Sequence, residues 1–149
     1  MNDIKIKNIT FEMLDECADL YMNTYSQEPW NESWSSKDVV VNFYKNHYEN
    51  NYFRGFVAIK NETIVGVSVG FLKSWIKGME YYIDDFFIRP DYQGQGIGSK
   101  FMKAIKDELI LQNIHAIILC TERDYPAYKF YEKMGFKSFQ DTIYLGIEF

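Results

Sequence analysis

Pro90-Asp91-Tyr92-Gln93-Gly94-Gln95-Gly96-Ile97-Gly98-Ser99-Lys100 is the stretch whose reading decides the fold. Glycines stand at 94, 96 and 98, between an apolar run that stops at Ile88 and an amphipathic run that starts near Gly98. Without side chains, backbone N–H groups there can approach a ligand closely. The helix that follows turns its positive dipole end to the same place. Together these features describe a phosphate cradle. Two common cradles fail on spacing. The third glycine of G-x-G-x-x-G falls on Ser99 counting from Gly94, and on Phe101 counting from Gly96. The P-loop order is broken because Ser99 separates Gly98 from Lys100.

Working outward, the period of the sequence changes on either side of the loop. Before it, Gly55–Ile59, Ile64–Val69 and Met79–Ile88 are β-branched and aromatic runs. Lys60-Asn61-Glu62-Thr63 joins the first two in hairpin fashion. After it, Phe101, Met102, Ile105 and Leu109 share one face of a helix from about Gly98 to Gln112. His115–Cys120 reads as an apolar strand. Pro126 opens another helix that Gly135 ends, and Phe136–Phe139 and Thr142–Phe149 read as closing strands. At the N-terminus, Ile4–Lys7 alternates as a strand, and Thr10 caps a helix beginning at Phe11. Ser35 with Asp38 resembles a capping box for a second helix carrying Val39, Val40, Phe43, Tyr44 and His47. The order is β-α-α-β-β-β-α-β-α-β-β. It predicts one α+β domain over 1–149, with a mixed, mostly antiparallel sheet of six to seven strands and about four helices.

Composition removes several classes of function. A chain of 149 residues with 47% hydrophobic and 18% aromatic residues is globular, which excludes wholesale disorder. The net charge of −5 disfavours nucleic-acid backbones and favours cationic partners. No run approaches the ~20 apolar residues of a membrane span, and the N-terminus lacks a signal-peptide core. Cys17 and Cys120 stand in unlike contexts and suit a reducing cytoplasm. His47 and His115 have no metal spacing with Cys or acidic residues, so no metal is expected.

Gln93-x-x-Gly96-x-Gly98 fits Q/R-x-x-G-x-G/A, and here the sequence resembles the GNAT superfamily of N-acetyltransferases. Tyr82–Ile88 and Pro126–Phe136 also resemble family segments at similar spacing, so the likeness covers roughly residues 55 to 140. It implies acetyl-CoA as cosubstrate, with the pyrophosphate at Gln93, Gly94, Gln95, Gly96, Ile97, Gly98 and Ser99. It also implies backbone N–H contacts from Phe86, Phe87 and Ile88 at a bulge, and coenzyme contacts near Asp124 and Ala127. Asp124 stands where many relatives carry Asn; it can equally cap the Pro126 helix.

Asp84 and Asp85 interrupt an apolar strand, where unpaired carboxylates are expensive. Alternation sends one to each face. The segment looks most like spermidine/spermine N-acetyltransferases. That resemblance implies Asp84, here in place of a longer Glu, as the base, and Asp85 as a ligand for a cationic amine. It also implies Tyr131 as the acid for the leaving thiolate. Phenol (about 10) to thiolate (about 8.5) is uphill by about 2 kcal/mol. Glu28, Trp30, Trp34 and Tyr82 are further acceptor candidates through charge and cation–π contact.

The expected function is transfer of acetyl to a primary amine of a small, polyamine-like acceptor, with neither nucleic acid nor membrane as partner. Alternatives are acetylation of an aminoglycoside or of a peptide or protein amine, or a non-catalytic acyl-CoA sensor. A homodimer is compatible with the likeness, and Phe149 ending an apolar strand suits an interface.

Overall fold

A computed structural model describes residues 3–149; Met1 and Asn2 lie outside the described residues. The chain runs β1 (Lys5–Asn8), α1 (Leu14–Tyr25), α2 (Lys37–Tyr48), β2 (Phe53–Lys60), β3 (Thr63–Trp75), β4 (Gly78–Ile88), α3 (Ile97–Leu111), β5 (Ile117–Leu119) and α4 (Pro126–Lys133). Single 3-10 turns at Phe11–Met13 and Pro90–Tyr92 precede α1 and α3. The strands form one sheet in the order β1-β2-β3-β4-β5. β1 to β4 are antiparallel neighbours and β5 joins β4 in parallel. The β2–β3 turn places Asn61 and Glu62 at φ 49° and 63°, the left-handed pair that matches the twist of a two-residue hairpin.

The apolar side chains of the sheet divide between its two faces. Val57, Val67, Val69 and Phe87 face α1 and α2, where Leu14, Cys17, Ala18, Val40 and Tyr44 close the layer. Phe56, Ala58, Val65, Tyr81 and Ile83 face the other way, against Phe101, Ile105 and Leu109 of α3 and Tyr131 of α4. Each large side chain so buried stabilises by about 1.5–3 kcal/mol, which outweighs the modest helix propensities of β-branched residues in α2. Hydroxyl caps contribute less than the sequence suggests. Thr10 precedes the first 3-10 turn and Ser36, rather than Ser35, precedes α2, but neither makes a side-chain cap bond.

The expectation of six to seven strands is corrected to five. Phe136–Phe139 and Thr142–Phe149 have strand composition, yet they join no ladder. A strand exists only through a partner edge, and these segments pair with none among the described residues. Ile143, Leu145, Ile147 and Phe149 are consequently exposed.

One irregularity shapes everything near the loop. The β3–β4 register pairs Val69 with Asp85 but Gly70 with Ile83, leaving Asp84 as an extra residue on β4. Gly70 sits against that kink, where a Cβ would lie 1.9 Å from the Tyr82 carbonyl oxygen. Backbone cannot yield as a side-chain tip can. Gly70→Ala therefore lowers stability by about 2 kcal/mol or more, read as a fall in the denaturation midpoint at unchanged slope.

Candidate active site

The bulge overturns simple alternation. Ile83 packs with the α3 layer, Phe86 also leans on that layer, and the two residues between them face the other way. Asp84 reaches His47 on α2, and Asp85 reaches Tyr25 at the end of α1, so both carboxylates occupy the α1/α2 side. Both line a cleft of about 360 Å³ with Tyr21, Tyr25, Trp30, Glu32, Glu122, Tyr125 and Tyr131. Among the described residues no Lys or Arg lines it.

The cleft opens where β4 and β5 part. Their pairing ends at Ile83 and Leu119. The Arg89 N–H donates to Val65 of β3, so by alternation Phe87 also turns its N–H to β3, while Phe86 and Ile88 turn theirs to the gap. Of the expected trio, two therefore face the opening and Phe87 does not. The Ile88 carbonyl, on that same side, accepts a hydrogen bond of 2.9 Å from Gln93 Nε2. The Gln93 side chain is thus a brace between loop and strand. The Gln95 amide similarly donates to the Asp91 carbonyl.

The glycine loop has the shape a pyrophosphate needs. Gly94 and Gly96 adopt φ 75° and 76°, and nothing lies within 4 Å of where a Cβ would stand. Gly98 is tight for a different reason: its Cβ would meet the Phe130 ring at 3.3 Å, which fixes how closely α3 approaches α4. The N–H groups of Ile97, Gly98 and Ser99 fall in the first turn of α3, where helices lack internal acceptors. These residues fit a diphosphate, and the parted strands fit a slender arm running from it to the cleft.

The carboxylates differ in environment. Asp85 is 8% exposed, and burial raises its pKa to about 7 although the Tyr25 hydroxyl opposes the shift with a 2.5 Å hydrogen bond. Its other oxygen, Oδ2, is buried with no partner among the described residues. Asp84 accepts from His47 Nε2 at 2.7 Å, while His47 Nδ1 lies 2.9 Å from the Phe43 carbonyl. Both acceptors are satisfied only if both ring nitrogens carry protons. Burial pulls His47 toward neutrality, but these bonds prevail and its pKa is raised. Its ring stacks on Phe71 at 4.9 Å, which holds the imidazolium edge toward Asp84. Burial, then the Asp85 charge, pushes the Tyr131 phenol well above its usual range, so it stays protonated.

The other candidates separate by position. Trp30 packs on Tyr25 at 5.0 Å and borders the cleft, as does Ala127. Trp34 packs on Tyr21 within the α1/α2 layer, and Glu28 is exposed outside the cleft lining. Tyr82 interacts with Cys120 and Lys73 instead. Asp124 is exposed and does not cap α4, whose preceding residue is Tyr125. Sequence reasoning did not single out His47, Tyr25, Tyr21 or Glu122 for the site. The first looked like one more residue on a core-facing helix, and the tyrosines were hidden among 12.

Comparison with known proteins agrees with this geometry. The pattern of the Acetyltransferase (GNAT) family matches residues 14–136. The chain belongs to that family. A thialysine N-epsilon-acetyltransferase from Bos taurus is 45% identical over 31 residues, 21% of this chain and 18% of that protein. The chain therefore matches under a fifth of that relative's length. In overall fold this GNAT protein superimposes on a possible acetyltransferase from Clostridium difficile 630 with TM-score 0.82 at 17% identity, covering 98% of each chain. It also superimposes on an aminoglycoside acetyltransferase from an uncultured soil metagenomic sample, in complex with sisomicin. There the TM-score is 0.74 at 18% identity, covering 98% of this chain and 96% of the other. No group of three or more His, Cys, Asp or Glu suited to a metal ion occurs among the described residues.

The buried Asp85 makes stability depend on pH. Its folded pKa lies above its unfolded value, so the folded state gains a proton between about pH 4 and 7. That contribution is full at low pH and is lost as pH rises through about 7. Asp85→Asn is therefore stabilised relative to the parent by about 4 kcal/mol at pH 8.5, the cost of a shift of about three units. The difference shrinks toward pH 4, as read by urea denaturation at both values.

Proposed function

We propose that this enzyme acetylates a primary amine of a small, polyamine-like cationic acceptor by direct attack. The observation that carries the reading is the lining of the cleft: Glu32, Asp84, Asp85 and Glu122 stand among aromatic rings, with no Lys or Arg in the lining among the described residues and with His47 paired to Asp84 alone among the four acids. Such a cavity concentrates an ammonium by charge and cation–π attraction. The small volume suits a slender acceptor. The name of the cattle relative, an N-epsilon-acetyltransferase, supports an amine acceptor, on a short aligned segment.

Acetyl-CoA, when bound, supplies an acetyl group activated as a thioester. Gly94, Gly96 and the first turn of α3 hold its diphosphate, and the Phe86 and Ile88 N–H groups face the arm. A donor fixed beside the thioester carbonyl stabilises the charge that grows on that oxygen, which is often the main source of rate enhancement in acyl transfer. The partnerless Oδ2 of Asp85 accepts a hydrogen bond from the incoming amine. Asp85 then takes the proton that makes the amine nucleophilic. A primary ammonium (about 10.4) giving its proton to a group near 7 is uphill by about 4–5 kcal/mol, against about 9 for an ordinary carboxylate. Burial is thus what makes Asp85 the better base. Asp84, held by His47, contributes charge that draws the cation in. The roles implied by the family likeness, Asp84 as base and Asp85 as binder, are exchanged in this reading. Tyr131 remains protonated until negative charge reaches the sulfur, and then donates.

The test is thiol release from acetyl-CoA across spermidine, spermine, other diamines, aminoglycosides, amino acids and short peptides. Turnover confined to polyamines and diamines is expected. Preference for aminoglycosides or peptides overturns the acceptor, and no release with any amine overturns the enzyme reading of this cleft. With the preferred amine, Asp85→Asn lowers kcat/KM by about 10²–10⁴-fold and removes a rise in kcat/KM with pH near 7. Asp84→Asn acts mainly on KM for the amine. Equal losses in kcat for both variants, or the reverse pattern, restore Asp84 as the base.

A further inference from the structure

His47 is fixed on every side, yet it stands outside the cleft. It belongs to the last turn of α2, where its ring stacks on Phe71 of β3 at 4.9 Å and touches Phe43 at 4.2 Å. Nδ1 donates to the Phe43 carbonyl at 2.9 Å, and Nε2 donates to Asp84 Oδ2 at 2.7 Å. The imidazole is 12% exposed and the Asp84 carboxylate 32%. Asp84 and Asp85 line the cleft, whereas His47 does not. An amine in the cleft therefore meets the acids and not the imidazole. A mostly buried imidazolium costs stability unless it is paired, and its partner here is an acid of the site.

Asp85 shows what that pair is for. The titratable groups around it are Cys17, Tyr21 and Tyr25 of α1, Tyr44 of α2, Tyr131 of α4 and Tyr81 of its own strand. Burial pushes each of these thiol and phenol groups up, so they stay neutral. Two acids remain, Glu32 from the α1–α2 connection and Asp84 next in sequence, and both oppose a negative charge on Asp85. His47 acts in the opposite sense. The other cations nearby are engaged elsewhere: Lys73 lies over the Tyr82 ring at 5.1 Å, and Arg54 acts on Tyr81 in the α3 layer. A carboxyl beside an uncompensated carboxylate holds its proton more tightly, and a cation on that carboxylate relieves the effect. We propose that His47 is a positioning residue that offsets part of the Asp84 charge and so keeps Asp85 available in its ionised form at neutral pH, an inference that rests on Asp85 serving as the base. The aromatic contacts and the Phe43 carbonyl hold the imidazolium edge on Asp84, so the compensation is built into the packing of α2 on β3 and β4.

Carbon-13 NMR of the aspartate carboxyls in the resting enzyme reads the ionisation of Asp85 without any substrate, with the resonance assigned by Asp85→Asn. His47→Gln keeps an amide donor within reach of Asp84 and removes the charge. The Asp85 midpoint is expected to rise from about 7 by about one unit. Adding Asp84→Asn to His47→Gln is expected to bring the midpoint back toward the parent's, because the charge that His47 offsets is then gone. A midpoint that stays in place in His47→Gln, or that stays raised in the double variant, overturns the proposal. A purely structural role changes stability without this pattern of midpoints. Should His47→Gln fail to fold, nitrogen-15 NMR of the parent decides. Both His47 ring nitrogens protonated at pH 7 support the proposal, and a neutral ring at that pH overturns it. With the preferred amine, the rise of kcat/KM with pH is expected to follow the carboxyl midpoints from parent to variant. Midpoints that move while the rate profile stays fixed overturn Asp85 as the base, and with it the part of His47 in the reaction, whereas midpoints that do not move overturn the inference about His47 alone.

Discussion

The extra residue in β4 is the constraint from which the site follows. A regular strand would place Asp84 and Asp85 on opposite faces, one of them among the apolar side chains of the α3 layer. The bulge turns both to the α1/α2 side and bends β4 away from β5, so the sheet opens at the place where the carboxylates gather. Gly70 is what lets β3 tolerate the kink, because any side chain there would collide with backbone. One local irregularity thus makes the gap, aims the acids and frees the N–H groups of Phe86 and Ile88.

Around that opening the protein keeps two carboxylates on adjacent residues in unlike states. Asp84 shares its charge with a doubly protonated His47 that Phe71 and Phe43 hold in place. Asp85 lies deeper, has a tyrosine hydroxyl on one oxygen and nothing on the other, and titrates near neutrality. Neighbouring acids placed in unlike surroundings are a common source of division of labour in catalysis. The cost is a buried charge above pH 7, and the helices α1 and α2 bear it through their packing on Val57, Val67, Val69 and Phe87.

Much of this was legible because it depends on neighbours in the chain. Three glycines between a strand and a helix demand left-handed backbone and close approach wherever they occur, and Gly94 and Gly96 take that conformation. The five strands and four helices were likewise visible in their periods, because each period reflects one buried face. The carboxylate pair was visible as an anomaly, since charge in an apolar strand requires a reason. The sequence could not place Trp34 and Tyr82, which lie outside the cleft lining, because an aromatic residue packs in a core as readily as it lines a site.

What the sequence by itself determined, then, is the set of elements and the cradle, whose conformations are dictated by local sterics and hydrophobic period. Tertiary structure alone decided which residues surround the acids. His47, Tyr21, Tyr25 and Glu122 come from separate elements, and only packing brings them to β4. It also decided that the C-terminal segment, a strand by composition, forms no ladder within its own chain. Strand propensity is a property of a segment, but a strand is a property of a pair, and no local pattern states where the second edge will be.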